Sequence, residues 1–143
     1  MQPSGSGNVV LSSELPPAGV KKEFEACLRA AFGYDAWVVV LAADRVGELV
    51  AACPYPADDT STNTYITLGS DAEVIAELYD AGSAMDGAEL TLLGPEALAW
   101  LAPAGGTLDS PFSKLSSKPK YKASTTTRNL RTMIKVRDAA ALL

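Results

Sequence analysis

Apolar positions along the chain recur at two different periods, and the alternation between them sets an expected order of elements. After a Ser4-Gly5-Ser6-Gly7 turn segment, Asn8–Ser12 reads as a strand. Pro16-Pro17 opens a helix, where a missing N–H costs nothing. Val20, Phe24, Cys27, Leu28, Ala31 and Phe32 share one face of it, and Gly33 ends it. Trp37–Leu41 is a continuous apolar run rich in β-branched residues, as in a buried strand. Asp44–Ala52 reads as a short helix stopped by Pro54-Tyr55-Pro56, and Asp58–Asn63 as a polar loop.

The pattern then resumes. Tyr65–Leu68 is a strand, and Ser70 with Glu73 forms a capping box for a helix beginning at Asp71. Val74, Ile75 and Leu78 are its apolar face, and Gly82 closes it. Glu89–Leu93 and Ala97–Leu101 flank Gly94-Pro95-Glu96, a hairpin signal. Ala102–Ser124 is a long segment with Gly, Pro, Ser and Lys throughout, read as a loop. Asn129–Leu142 is a helix capped by Asn129, with Leu130, Met133, Ile134, Ala140 and Ala141 as its apolar positions. One rough pattern is used twice. It predicts an α+β chain of two ferredoxin-like (split βαβ) subdomains with antiparallel sheets. Residues 1–57 form the first, incomplete one; residues 58–143 form the second, with a basic loop and a C-terminal helix.

Composition narrows the chemistry. The chain has 143 residues, of which 48% are hydrophobic, enough for a core. It contains no His, which excludes a Ser-His-Asp triad, a Cys-His dyad, an imidazole ligand and a histidine pH switch. Cys27 and Cys53 are too few for a zinc site and read as two reduced core thiols of a cytosolic protein. Met1–Gly5 has neither the basic nor the apolar region of a secretory signal. The longest apolar stretches, Ala36–Ala43 and Leu98–Pro103, are too short to span a bilayer. A cytoplasmic protein without membrane association is expected.

The net charge of −5 conceals a division. Residues 1–110 hold 4 basic and 16 acidic side chains, whereas residues 111–143 hold 8 basic and 1 acidic. Such asymmetry marks a site for an anion or a polyanion, or a basic tail folded onto an acidic body. On a helix starting near Asn129, Arg128, Arg131 and Lys135 share a face. The helix N-terminus adds N–H groups and a positive dipole end; Thr126, Thr127 and Asn129 add polar side chains there. Ser113 and Lys114 could join across the loop, completing a phosphate or carboxylate cradle. The plainer alternative is a solvated helix face. Lys114, Lys118, Lys120 and Lys122 around Tyr121 suit single-stranded nucleic acid by phosphate contact and stacking, or else form a lysine-rich surface loop. Ser4–Asn8 is Gly-rich but lacks the Lys and following helix of a P-loop, so it is a turn. Asp58-Asp59 and Asp71/Glu73 are explained by loop solvation and helix capping. Trp37, Trp100 and Phe24 are read as core. No pair of candidate acids and bases has a telling spacing, and no catalytic residue, metal site or cofactor is assigned.

Five segments in order carry a resemblance: Ser6-Gly7-Asn8-Val9-Val10; Phe32-Gly33 before Val38-Val39-Val40; Cys53-Pro54-Tyr55-Pro56; Ser113-Lys114-Leu115; and Thr126-Thr127-Arg128-Asn129 with Thr132. Together they resemble the bacterial domain of unknown function DUF1697, from about Ser6 to Leu142. The resemblance implies two ferredoxin-like subdomains, a cytoplasmic bacterial protein and no assigned reaction. The family opens with a strand, an Arg-Gly-Ile-Asn-Val-Gly-Gly type segment and a helix, which are not found before Gln2. Its Gly-Arg before Ser-Lys-Leu is here Pro111-Phe112, and its Trp after Arg-Asn is Leu130. The first departure predicts an exposed sheet edge in the first half, from a misplaced start, a truncated gene or coverage by another chain.

The leading expectation is a binding module for a phosphorylated or polyanionic ligand, nucleic acid included, using the basic C-terminal segment. The alternative is a non-catalytic interaction or structural domain, its tail packed on its own body and a partner chain or second copy covering the first-half edge. A third is an enzyme whose catalytic residues belong to the family's opening segment.

Overall fold

The computed structural model describes residues 2–3, 8–33, 38–85, 89–103, 111–122 and 124–142. A four-stranded antiparallel sheet organises them. Its strands are β3 (Thr62–Gly69), β4 (Leu90–Gly94), β5 (Ala97–Pro103) and β6 (Thr125–Asn129), in the order β4-β5-β3-β6. With helix α3 (Ala72–Ser83) between β3 and β4, and the short helices α4 (Pro111–Ser116) and α5 (Pro119–Lys122) between β5 and β6, the second half runs βαββαβ. That order, with the first strand central and the last on the edge, is the split βαβ arrangement. The chain is α+β.

Both faces of the sheet are covered. Alternate residues of a strand point to opposite faces, so β3 divides its side chains between two cores. On one face Ile66 and Leu68 meet Val46 and Leu49 of α2 (Ala43–Ala52) and Leu130 and Met133 of α6 (Leu130–Ala141). On the other, Leu98 and Trp100 of β5 meet Ile75 and Leu78 of α3, Phe112 and Leu115 of α4, and Tyr121 of α5. Helix α2 precedes residue 57, yet it packs on the sheet of the second half.

Local signals account for most boundaries. Helix α1 (Pro17–Phe32) begins with Pro17 in its first turn and ends at Gly33, whose φ of 74° is left-handed and whose N–H donates to the Arg29 carbonyl at 2.8 Å. Helix α3 starts one residue later than the capping box predicts. Asp71, not Ser70, is the cap, its Oδ1 accepting from Glu73 N at 2.9 Å, because a carboxylate one residue nearer reaches the same donor. Gly82 lies inside the helix, and Ala84 follows its last turn. The hairpin β4–β5 turns at Pro95-Glu96 as expected.

Three elements differ from the pattern. The long loop holds α4 and α5, whose Phe112, Leu115 and Tyr121 are buried; the predicted loop residues 104–110 lie outside the described set. Thr125–Arg128, assigned to no element above, belong to β6, where a threonine run suits a pleated surface. The strand expected at Trp37–Leu41 is absent at 38–41, and Trp37 lies outside the described residues. No described strand pairs with Val38–Leu41; Val39 and Leu41 instead pack against the α2 core.

The first half supplies one short ladder, β1 (Gln2–Pro3) with β2 (Val9–Val10), where a strand over Asn8–Ser12 was expected. Helix α1 consequently has no described sheet beneath it. None of its 16 residues is buried, Phe24 is only half-buried, and Cys27, expected in the core, is exposed.

Candidate anion-binding site

The site is best built from β6, the edge strand beside β3. Its register pairs Tyr65 with Asn129, Ile66 with Arg128, Thr67 with Thr127 and Leu68 with Thr126. Arg128 and Thr126 therefore lie on the α2/α6 face of the sheet, with Ile66 and Leu68, and Thr127 lies on the α3/α4 face, with Thr67.

Arg128 is half-buried and held at three points. Its Nε donates to Asn8 Oδ1 at 2.9 Å, and its Nη1 donates to Thr126 Oγ1 at 2.6 Å and to the Thr127 carbonyl at 3.0 Å. All three acceptors are neutral, and among the described residues no carboxylate pairs with this guanidinium. A partly desolvated cation without a counter-charge is costly, because neutral acceptors recover less of the lost hydration than an anion would.

Asn129 caps α6 as the sequence predicts: its Oδ1 accepts from Arg131 N at 2.8 Å. The same oxygen accepts from Arg131 Nε at 3.4 Å, so the Arg131 side chain is drawn toward the helix start. Arg131 and Lys135, four apart on α6, are both exposed. Arg128 does not share their helix face, contrary to expectation, because α6 begins only at Leu130 and Arg128 is still in the strand.

The other candidates are placed elsewhere. Thr127 Oγ1 hydrogen-bonds Thr67 Oγ1 at 2.8 Å and is part of the sheet's packing. Ser113 and Lys114 belong to α4, on the opposite face of the sheet from Arg128, and do not join it. Tyr121 of α5, proposed as a stacking platform among the lysines, is 5% exposed and belongs to the core cluster with Trp100 and Phe112, so its ring faces the core instead of a base. Lys120 forms an ion pair with Glu77 of α3, which holds its ammonium above the ordinary lysine range. Asn8 is the member that sequence reading misses. It lies 120 positions from Arg128, and no local pattern connects the two.

Nothing in the described set suggests other chemistry. No group of three or more Cys, Asp or Glu side chains among the described residues could hold a metal ion. Cys53 is half-buried and burial pushes its thiol up, which makes a poor nucleophile. No helix among the described residues is long and apolar enough to cross a membrane.

A family model described as a protein of unknown function, DUF1697, matches residues 5–93. The chain belongs to the DUF1697 family. No curated protein and no solved structure matches it. Three of the five segments that carried the resemblance, Ser6–Val10, Phe32-Gly33 with Val38–Val40, and Cys53–Pro56, fall within the matched DUF1697 residues. Ser113–Leu115 and Thr126–Asn129 fall beyond residue 93. The candidate site thus joins a matched residue, Asn8, to a strand outside the match.

Proposed function

We propose that this chain is a cytoplasmic binding module for a phosphate-bearing anion, seated on Arg128 at the junction of β6 and α6. The observation that supports it is the Arg128 guanidinium, half-buried and held only by neutral acceptors. An oxyanion there would gain charge-assisted bonds to the guanidinium, and α6 begins two residues further along the chain, at Leu130. The experiment is a fluorescence-anisotropy titration of a labelled single-stranded oligonucleotide and, in competition, inorganic phosphate, at two salt concentrations. Arg128→Ala and Arg131→Ala/Lys135→Ala are run alongside. Salt-sensitive binding lost in Arg128→Ala supports the reading, and binding that survives in both variants overturns it.

A second reading has its own observation. Lys120 pairs with Glu77, and Phe112, Leu115, Leu130 and Met133 are core residues, so much of the basic segment is integral to the acidic body. On this reading the chain is a non-catalytic interaction or structural domain. Deleting residues 111–143 would remove β6 and buried residues of both cores (Leu130 and Met133 from one; Phe112, Leu115 and Tyr121 from the other) whichever reading holds, so charge-neutralising substitutions discriminate where truncation does not.

A further inference from the structure

Arg128 is gripped along one side by its own strand and along the other by a residue from the far end of the chain. A guanidinium has five N–H donors. Nη1 spends its pair on Thr126 Oγ1 and the Thr127 carbonyl, and these bonds come from adjacent residues of β6. Nε donates to Asn8 Oδ1, and Nη2 has no acceptor among the described residues. Nε and Nη2 form the edge through which an arginine receives two oxygens of one anion. Half of that edge is therefore occupied by a neutral amide oxygen.

Resting on the anion reading above, we propose that Asn8 is a placeholder: its Oδ1 occupies the seat of a phosphate oxygen on Arg128, and a phosphate group binds by displacing it. The strand contacts to Nη1 stay in place during the exchange and keep the fork aimed. The exchange is favourable because a bond to an ionised oxygen is about twice as strong as one to a neutral amide. Asn8 then sets selectivity, since a ligand offering a single neutral oxygen gains nothing by replacing it. The ligand is a phosphate group with two free oxygens, whether inorganic phosphate or part of a nucleic-acid backbone.

The test uses the full chain and titrates inorganic phosphate, then a short single-stranded oligonucleotide, into wild type, Asn8→Ala, Asn8→Asp and Arg128→Ala. Asn8→Asp supplies a tethered carboxylate to the same edge. It is expected to weaken phosphate binding at least about ten-fold, matching the roughly 1.4 kcal/mol that one such factor represents. Asn8→Ala removes the competitor and is expected to tighten binding several-fold. Thermal melts of both variants establish that they fold. If Asn8→Ala instead weakens binding, Asn8 is a ligand-holding residue and the placeholder proposal is overturned while the anion site stands. If neither wild type nor Asn8→Ala binds phosphate or oligonucleotide, the anion site itself fails, and the proposal with it. Binding confined to the oligonucleotide, and blocked by Asn8→Asp, supports the proposal with the polymer backbone as the source.

Discussion

The indole N–H of Trp100 donates to Thr67 Oγ1 at 3.0 Å, joining β5 to β3 in the middle of the sheet. Both residues are buried, at 2% and 0% exposure, so neither group has water as a substitute partner. An indole N–H can only donate, so the Thr67 hydroxyl accepts from it, and the same hydroxyl shares a hydrogen bond with Thr127 Oγ1, 2.8 Å away on β6. A single threonine thus ties three adjacent strands together through side chains, beneath Tyr65 and Phe112, whose rings lie 4.7 and 5.0 Å from the Trp100 ring.

Replacing Thr67 by Val keeps the shape but leaves the indole N–H without an acceptor. The expected loss is about 1–3 kcal/mol, the cost of a buried unsatisfied donor. Thr67→Ser retains the hydroxyl and is expected to lose clearly less. Urea unfolding of the two variants checks this, and a Thr67→Val loss smaller than the Thr67→Ser loss would show that the methyl group matters more than the hydrogen bond.

Arg45 of α2 grips Glu96 in the β4–β5 turn through two bonds, Nε to Oε2 at 3.0 Å and Nη2 to Oε1 at 2.7 Å. The Arg45 hydrogen bonds hold the Glu96 carboxyl below its ordinary value of 4.5, against a smaller opposing effect of burial. A carboxyl whose folded pKa is depressed stabilises the fold above its unfolded pKa, and that contribution fades as pH falls through the folded value. Stability should therefore decline below about pH 5 in wild type, and decline less steeply in Glu96→Gln. Denaturant midpoints between pH 3 and pH 7 measure the difference. At neutral pH, Glu96→Gln is expected to cost about 1 kcal/mol, since the pair is only partly shielded from water.

Gly82 shows where packing overrides helix propensity. A Cβ on it would come within 2.7 Å of Phe112 Cε1 and 2.5 Å of Leu90 Cδ1, closer than real Cβ atoms approach. Alanine would gain about 1 kcal/mol as a helix former. Overpacking a well-filled core costs about 1–3 kcal/mol. Gly82→Ala is expected to be destabilised on balance, with Gly82→Ala/Leu90→Ala partly recovering because the second change opens the space. A more stable single variant would mean that α3 slides away from α4 at little cost.

The second half was legible because its signals are local. The capping residues near Ser70–Glu73, the Gly94–Glu96 turn and the Asn129 cap each depend on neighbours within a few positions. Strand β6 was hidden because its side chains are threonines and one arginine, with no hydrophobic alternation. It is a strand because β3 offers an open edge, a fact located 60 residues away. The same distance problem hides Asn8, and it misplaces Arg128 on a helix that starts two residues later. In the first half α1 is a helix, as its period predicts, but periodicity predicts a face and not what covers it. That is why the residues read as core there, Cys27 among them, remain unburied.

The two cysteines give this last point a direct readout. Cys27 is exposed on α1, whereas Cys53 is half-buried against the α2 core with its Sγ 3.9 Å from the Tyr55 carbonyl. Burial pushes the Cys53 thiol up, so at neutral pH its thiolate fraction falls below that of an ordinary cysteine. Under native conditions a thiol reagent should modify Cys27 rapidly and Cys53 much more slowly, the second phase merging with the first in denaturant. Peptide mapping after brief alkylation assigns the phases. A native protein in which both thiols react slowly would place α1 against a surface, and a protein in which both react fast would mean that α2 opens readily from the sheet.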